Sequence, residues 1–381
     1  GYGSIQLAGR ILGLLGVIQV AATSARSACS QTSPGLRRAP TLHRSLRLRP
    51  ETRIVPKSGL LRGMKRLRAA AVDVESEPWE LDAFSPSKIN LFLRVVGKRP
   101  DGFHDLGSLF QAISLGDRLR ISRLEEGAKD EFYCDMPGVP TDDSNLVLRA
   151  AKLFRDRTGI KSGVKMCLNK TVPAQGGLGG GSANAATTLW GLNKLFDFPA
   201  TQEELINWSA DLGSDITFFL SSGTAFCTGR GEILENVPHL PQKELFVIKP
   251  SKGLSTPLVF KNLNYSELSQ EDPRSILRRF YTTTDSNCSD MYINDLEPPA
   301  FRLYPELKQI KDVLEEFKFE AVLMSGSGTS LFALGEPQSA PEEVFLAEMQ
   351  KMKDDFGLKI HKARFVNRGP GLGDWYEPVT L

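Results

Sequence analysis

Two α+β domains meeting near residue 240 are the architecture that the 381-residue sequence predicts. Three observations carry it. From Lys88, the apolar residues Ile89, Leu91, Leu93 and Val95 alternate with Asn90, Phe92 and Arg94, the period of a strand with one mostly buried face. Between a strand-like Val164 to Leu168 and an Ala-rich helical stretch lie the glycines Gly176, Gly177, Gly179, Gly180 and Gly181. After Pro241 the alternation of strand and helix signals starts again. The expected division is a leader over residues 1–80, largely disordered, an N-terminal domain over 81–241 and a C-terminal domain over 242–381.

Each element follows from local chemistry. "GKRPDGFHD" after the first strand supplies turn residues. Alternating stretches at Ser108 to Leu115, Arg118 to Leu124 and Glu131 to Met136 predict an antiparallel sheet, because their connections are too short for helical crossovers. Ser144 is the expected cap of a helix to about Arg157, and Thr201 with Glu204 the capping box of another through Leu212. Beyond Pro241 the reading is strand "LFVIKP", helices near Thr256 to Leu263 and Pro305 to Phe317, strand "AVLMS", helix Pro341 to Phe356 and strand "KIHKARFVN". The polar stretch Thr282 to Asp290 reads as a loop.

Composition narrows the function. The chain is 41% hydrophobic, 24% charged and 8% aromatic, an ordinary globular balance. Charge is uneven: residues 1–72 hold thirteen basic residues against the single acid Glu51, so the rest of the chain is net acidic. A body that grips a nucleic-acid backbone is disfavoured, since that needs a cationic face. The arginines Arg10, Arg26, Arg37, Arg38, Arg44, Arg47 and Arg49 among Ser, Ala, Pro and Leu read as an organelle-targeting leader, plastid first. Its apolar stretch Ile11 to Ala22 is shorter than the roughly 20 residues that cross a bilayer. Five scattered cysteines and four isolated histidines form no disulfide framework or zinc pattern.

The segment "PAQGGLGGGSAN", Pro173 to Asn184, carries the chemistry. Glycines between a strand and a helix let several backbone N–H groups approach one anion at a positive helix end, which makes a phosphate-binding loop. No Lys-Ser or Lys-Thr follows the last glycine, so it is not a Walker loop, and Ser182 stands where a dinucleotide fingerprint needs glycine. A flexible linker is the other reading, but linkers are not fused to an Ala-rich helix. "SGSGT" from Ser325 and "TGRGE" from Thr228 read individually as turns. Lys88 at a strand start reads on its own as a solvated edge residue, and Asp215 after Gly-Ser as a turn or cap residue.

Together, "SPSKINLFLRVVGKRPDGFHDL", "PAQGGLGGGSANAAT", "GSDITFF" and "LMSGSGTS" resemble the GHMP kinase superfamily over about Phe84 to Glu377. Within it they are similar to the plastid and bacterial family that phosphorylates a cytidine-diphosphate methylerythritol in isoprenoid precursor synthesis; "NDLEPPAF" resembles the plant-type members. Three positions depart from the pattern: Gln175 stands where the loop's first glycine is usual, Ala183 where serine is usual, and Thr217 where proline is common.

The resemblance implies an N-terminal ATP-binding domain with ribosomal-protein-like β-α topology and a C-terminal α+β domain. It makes Asp215 the base on the 2-hydroxyl and Lys88 its catalytic partner. ATP would take Pro173, Gly176, Gly177, Leu178, Gly179, Gly180, Gly181 and Ser182 at its phosphates, and Asn145, Leu146 and Lys170 at its adenine. Mg2+ is expected, with Ser182 as the one named ligand. The acceptor would meet Asn90, Phe103, His104, Asn184, Thr256 and Phe260, with Phe103 and Phe260 stacking on the cytosine. No membrane or nucleic-acid partner is implied. Other readings are a homoserine or mevalonate type of GHMP kinase, which needs no cytosine stack, and a noncatalytic nucleotide- or RNA-binding module.

Overall fold

The computed structural model describes residues 78–283 and 289–378. The expected leader therefore lies outside the described residues up to residue 77, as do residues 284–288 of the expected loop. From Trp79 onward the chain forms one compact unit built on two sheets.

Strands β1 (Leu81–Lys98) and β2 (His104–Glu126) are long antiparallel partners. The alternation at Lys88 to Val95 predicts one wet face, yet both faces of this stretch are buried. Polar residues on the second face are paired: Arg94 with Asp295, and Asn90 with Ser108 at 2.9 Å. The two strands expected at Ser108 and Arg118 are one. Gly116 and Asp117 do not break β2: they pair with Pro86 and Ser85, and the register shift at Pro86/Ser87 leaves Ser114 and Leu115 as the bulge beside them.

Strand β3 (Glu131–Cys134) corrects the antiparallel expectation. It runs parallel to β4 (Ser162–Asn169), and helix α1 (Leu146–Thr158) forms the crossover. The cap of α1 is Asn145, not Ser144: Asn145 Oδ1 accepts from Val147 N at 2.9 Å, while Ser144 bonds to Asp142. Helix α2 (Gly180–Leu195) follows the glycine loop, then α3 (Gln202–Ser209), which carries the expected capping box, and the short α4 (Ile216–Phe219). Strands β5 (Thr224–Gly229) and β6 (Ile233–Asn236) turn around "TGRGE" and complete a six-stranded sheet ordered β3-β4-β2-β5-β6, with β1 beside β2.

The second sheet is four-stranded and antiparallel, ordered β10-β7-β9-β8. Its strands are β7 (Glu244–Lys249), β8 (Ala321–Met324), β9 (Leu331–Leu334) and β10 (Lys359–Arg364). Helices α5 (Thr256–Lys261), α6 (Pro273–Thr282), α7 (Glu297–Leu303), α8 (Pro305–Glu316) and α9 (Glu342–Phe356) belong to this half. One core packs α1 and α2 against the first sheet. A second, with Ile89, Leu91, Phe92, Leu245, Val247 and Phe332, joins the two sheets. Beside that core the glycine loop is hydrogen-bonded to the β8–β9 turn through Gly176 and Gly177. Among the described residues, no helix is long and apolar enough to cross a membrane.

Candidate active site

The glycine loop is held from both sheets by its carbonyls, which leaves its N–H groups to the cleft. Lys88 N donates to Leu178 O at 2.9 Å, Ser330 N to Gly176 O at 3.1 Å and Ser325 Oγ to Gly177 O at 3.0 Å. Gly177 and Gly179 have φ of 73° and 69°, the left-handed region that glycine enters freely. A Cβ on Gly177 would overlap Ser325 O, and one on Gly179 would sit 3.0 Å from the Phe219 ring. Gly179 is also the N-cap of α2 and offers no side chain to the first-turn N–H groups. The positive end of a 16-residue helix therefore opens into the cleft as an anion cradle.

That cleft, about 410 Å³, is lined by Pro173, Gly176, Gly177, Leu178, Gly179, Gly180, Gly181 and Ser182 together with Asn145, Leu146 and Lys170. The residues named for ATP thus share one cavity. Two of the polar ones have structural duties as well. Asn145 caps α1, and Lys170 pairs with the buried Asp117 and donates to Asn184 Oδ1 at 3.1 Å. Asp117, which the sequence reading missed, also accepts from Thr171 N and Val172 N. Asn184, expected on the acceptor, lies instead under the glycine loop: it is 2% exposed and donates to Ser85 Oγ and Asp117, both at 2.9 Å.

Gln175 has a φ of 52°, in the left-handed region that glycine enters freely. Its amide oxygen packs against Gly253, where a Cβ would sit 2.5 Å from it. Thr217 is buried and shares a 2.9 Å hydrogen bond with Ser209.

A second cleft of about 680 Å³ brings together Asp215, Phe103, His104, Thr256 and Phe260 with Lys98, Arg230, Lys261 and Tyr265. The hairpin that presents Phe103 and His104 is fixed by Arg99, which pairs with Asp101 at 3.1 Å and Asp105 at 2.9 Å. Phe103 is 54% exposed, with the Arg230 guanidinium 5.0 Å from its ring centre. Phe260 stacks on His104 at 4.9 Å. Burial, reinforced by Lys98, pushes the His104 imidazole below its ordinary range. Thr256 shares a 2.7 Å hydrogen bond with Ser327 of the "SGSGT" turn. Arg230 and Tyr265 were not foreseen; each meets its partner only through the tertiary fold.

Asp215, in the lining of this second cleft, faces Lys88, whose side chain lies against Gly179 of the glycine loop. Lys88 Nζ is 3.7 Å from Asp215 Oδ2, with side-chain exposures of 4% and 35%. Lys88 is thus no solvated edge residue. Its amine donates to Asn90 Oδ1 at 2.8 Å and lies 4.5 Å from the centre of the Phe110 ring. Asn90 is itself buried, so it acts on the site through Lys88. Asp215 is the N-cap of α4, yet its side chain makes no capping hydrogen bond, which leaves the carboxylate to the cleft. The "NDLEPPAF" motif serves the opposite wall: Asn294 Nδ2 donates to Met324 O at 2.7 Å and Gly326 O at 2.8 Å, holding the β8–β9 turn over Lys88 and Asn90. Among the described residues no cluster of three or more His, Cys, Asp or Glu side chains is placed to hold a metal.

An anion cradle beside a buried lysine, an open carboxylate and an aromatic cleft can support phosphotransfer between ligands held in the two clefts. The model for the GHMP kinase N-terminal domain matches residues 145–224, and that for the C-terminal domain residues 277–348. The 4-diphosphocytidyl-2-C-methyl-D-erythritol kinase of Protochlamydia amoebophila (strain UWE25) is 46% identical over 313 residues, covering 82% of this chain and 99% of that one. The chloroplastic enzyme of that name from Oryza sativa subsp. japonica is 42% identical over 318 residues, 82% of this chain and 77% of its own. A crystal structure of 4-(cytidine 5'-diphospho)-2C-methyl-D-erythritol kinase superposes with a TM-score of 0.62 at 31% identity, over 76% of this chain and 100% of that one. Identity at this level over nearly the full length of a relative is closer than a shared superfamily fold, and the chain belongs to the 4-diphosphocytidyl-2-C-methyl-D-erythritol kinase family of GHMP kinases.

Proposed function

We propose that the chain transfers the γ-phosphoryl group of ATP to the 2-hydroxyl of 4-diphosphocytidyl-2-C-methyl-D-erythritol, giving the 2-phosphate and ADP in isoprenoid precursor synthesis. The observation that carries this reading is the Lys88–Asp215 pair at 3.7 Å, with Asp215 lining the aromatic cleft and the Lys88 side chain against Gly179 of the glycine loop. Asp215 takes the hydroxyl proton as the new O–P bond forms and the bond to the ADP oxygen breaks. Lys88, held by Asn90, steadies the oxygen as it becomes negative. The glycine-loop N–H groups bind and orient the phosphates. On the acceptor side Phe103 and Phe260 offer stacking faces for the base, with His104 at its edge.

Among the described residues no carboxylate cluster is placed to hold a metal, so a Mg2+ ion would be held by Ser182 beside the cradle together with the nucleotide itself, and when bound it would supply charge neutralisation to the phosphates. We place the protein in the plastid, on the arginine-rich residues before Glu51 and the chloroplastic names of the plant relatives. A reporter fused behind residues 1–80 should enter plastids; retention in the cytosol overturns that placement.

The direct test of function is a substrate panel with ATP and Mg2+. Turnover is expected with the cytidine-diphosphate acceptor and not with homoserine or mevalonate. Turnover of either of those in place of the first would make the chain a different GHMP kinase, and no turnover of any would favour a binding module.

A further inference from the structure

Tyr265 opens a short turn, Tyr265–Glu267, that carries no sequence motif. Its hydroxyl lies 2.8 Å from His104 Nε2. The turn itself is tied down: Asn264 Nδ2 donates to Glu267 at 3.0 Å, and Glu267 pairs with Arg302 at 2.7 Å. His104 stacks on Phe260 with 26° between the rings, so stacking sets the plane of the imidazole and Tyr265 sets its rotation within that plane. Among the described residues Nδ1 of His104 has no hydrogen-bond partner, and both rings line the acceptor cleft.

A neutral imidazole has one donor and one acceptor nitrogen, and a phenol hydroxyl, able to take either role, donates more readily than it accepts, so Tyr265 favours an accepting Nε2 and a donating Nδ1–H. Burial and Lys98 favour that neutral form. Cytosine and uracil differ in this respect: cytosine accepts at N3 and donates from its 4-amino group, whereas uracil donates at N3 and accepts at O4. A ring free to rotate or to exchange tautomers would read both.

We propose that Tyr265 is a positioning residue which, by pinning Nε2 of His104, turns Nδ1 toward the pyrimidine edge and so sets the preference for a cytidine acceptor. The inference rests on the acceptor reading given above for this cleft.

Steady-state kinetics of Tyr265→Phe and His104→Ala, with the cytidine acceptor and its uridine counterpart, test it. Tyr265→Phe should raise the KM for the cytidine acceptor about three- to tenfold, the scale of one hydrogen bond, with kcat and the KM for ATP within about twofold of wild type. The preference for cytidine over uridine should fall, and the 15N resonances of the His104 imidazole should shift. If His104→Ala raises the acceptor KM while Tyr265→Phe does not, the proposal fails and the acceptor reading stands. If His104→Ala leaves that KM unchanged, the acceptor reading itself is wrong. A Tyr265→Phe variant that loses kcat and both KM values together shows a structural role and overturns the proposal.

Discussion

The amine of Lys88 lies 3.7 Å from the carboxylate of Asp215, and only the carboxylate is open to solvent. Lys88 has its direction fixed by Asn90, while Asp215 heads a helix whose cap it does not make. One group is built into the sheet and the other is presented to a ligand.

Asp215→Asn keeps the shape of that pair and removes the proton acceptor. Its kcat should fall on the order of 10²-fold or more, with binding of ATP and acceptor little changed, because the group acts mainly in the transition state. Lys88→Met should also depress kcat, and the double variant should lose less than the product of the two, since both act on one proton. Near-normal turnover of a folded Asp215→Asn protein would shift the burden to electrostatic stabilisation by Lys88 and the glycine loop.

Phe103 and Phe260 approach the acceptor differently. Phe103 is an exposed ring backed by Arg230, whereas Phe260 is braced by His104. Each Ala replacement should weaken acceptor binding by roughly 1–3 kcal/mol, the scale of base–aromatic stacking, and leave ATP binding nearly unchanged. Calorimetric titration of each ligand separates the outcomes; equal loss of both would make the rings structural.

How far the sequence was legible depended on whether a signal was local. The Lys88 strand, the glycine loop and the Thr201 cap are written in neighbouring residues, and the fold forms all three, though it buries both faces of the strand. Gly116-Asp117 carries a turn signal that the sheet overrides by pairing the two residues with Pro86 and Ser85. The prolines of α7 lie in its first turn, where a missing N–H costs nothing, so a segment rich in helix breakers is a helix. Asn184 showed only its motif, and its burial against Asp117 exists only once β2 and α2 are packed. Tyr265 had no local signal, because its partner is 161 residues away.

A chain beginning at Pro78 should fold and turn over like the full-length protein. The compact unit starts at Trp79, and no candidate site residue precedes Lys88. Starting later should be harmful, because Glu80 holds Arg123 at 3.0 Å and Leu81 packs in the first core. Thermal melting and specific activity of chains beginning at Pro78 and at Phe84 check both halves; loss of folding in the first would refute the boundary.

Lys249 gives a pH dependence. Its amine is buried beside Gly176 and donates to Pro250 O at 2.6 Å and Lys252 O at 3.2 Å. Burial, with help from Lys359, lowers it from 10.5 to about 8. Between those values the unfolded chain binds more protons than the folded one, so this group's contribution to stability rises with pH. Its cost is fully present below about pH 8 and fades toward pH 10.5. The stability of wild type relative to Lys249→Met should therefore improve by about 2 kcal/mol between about pH 7.5 and 9.5, as read from urea denaturation. A gap that does not change with pH would mean that Lys249 titrates normally in the fold.

Gln175 sets the last expectation. A φ of 52° places a side-chain-bearing residue in the left-handed region, at a cost of about 1–2 kcal/mol that glycine avoids. Glycine would add about 0.5–1 kcal/mol of backbone entropy loss on folding, so the two effects partly cancel. The strain term is the larger, and against it stands the amide's packing on Gly253. Gln175→Gly should thus raise stability slightly, by up to about 1 kcal/mol, in thermal or urea unfolding. Its KM for ATP should stay near wild type, because the amide is turned toward Gly253 and the phosphates are left to the N–H groups from Gly177 onward. A clear rise in that KM, with stability unchanged, would instead mean that the Gln175 amide swings onto a phosphate when the nucleotide binds.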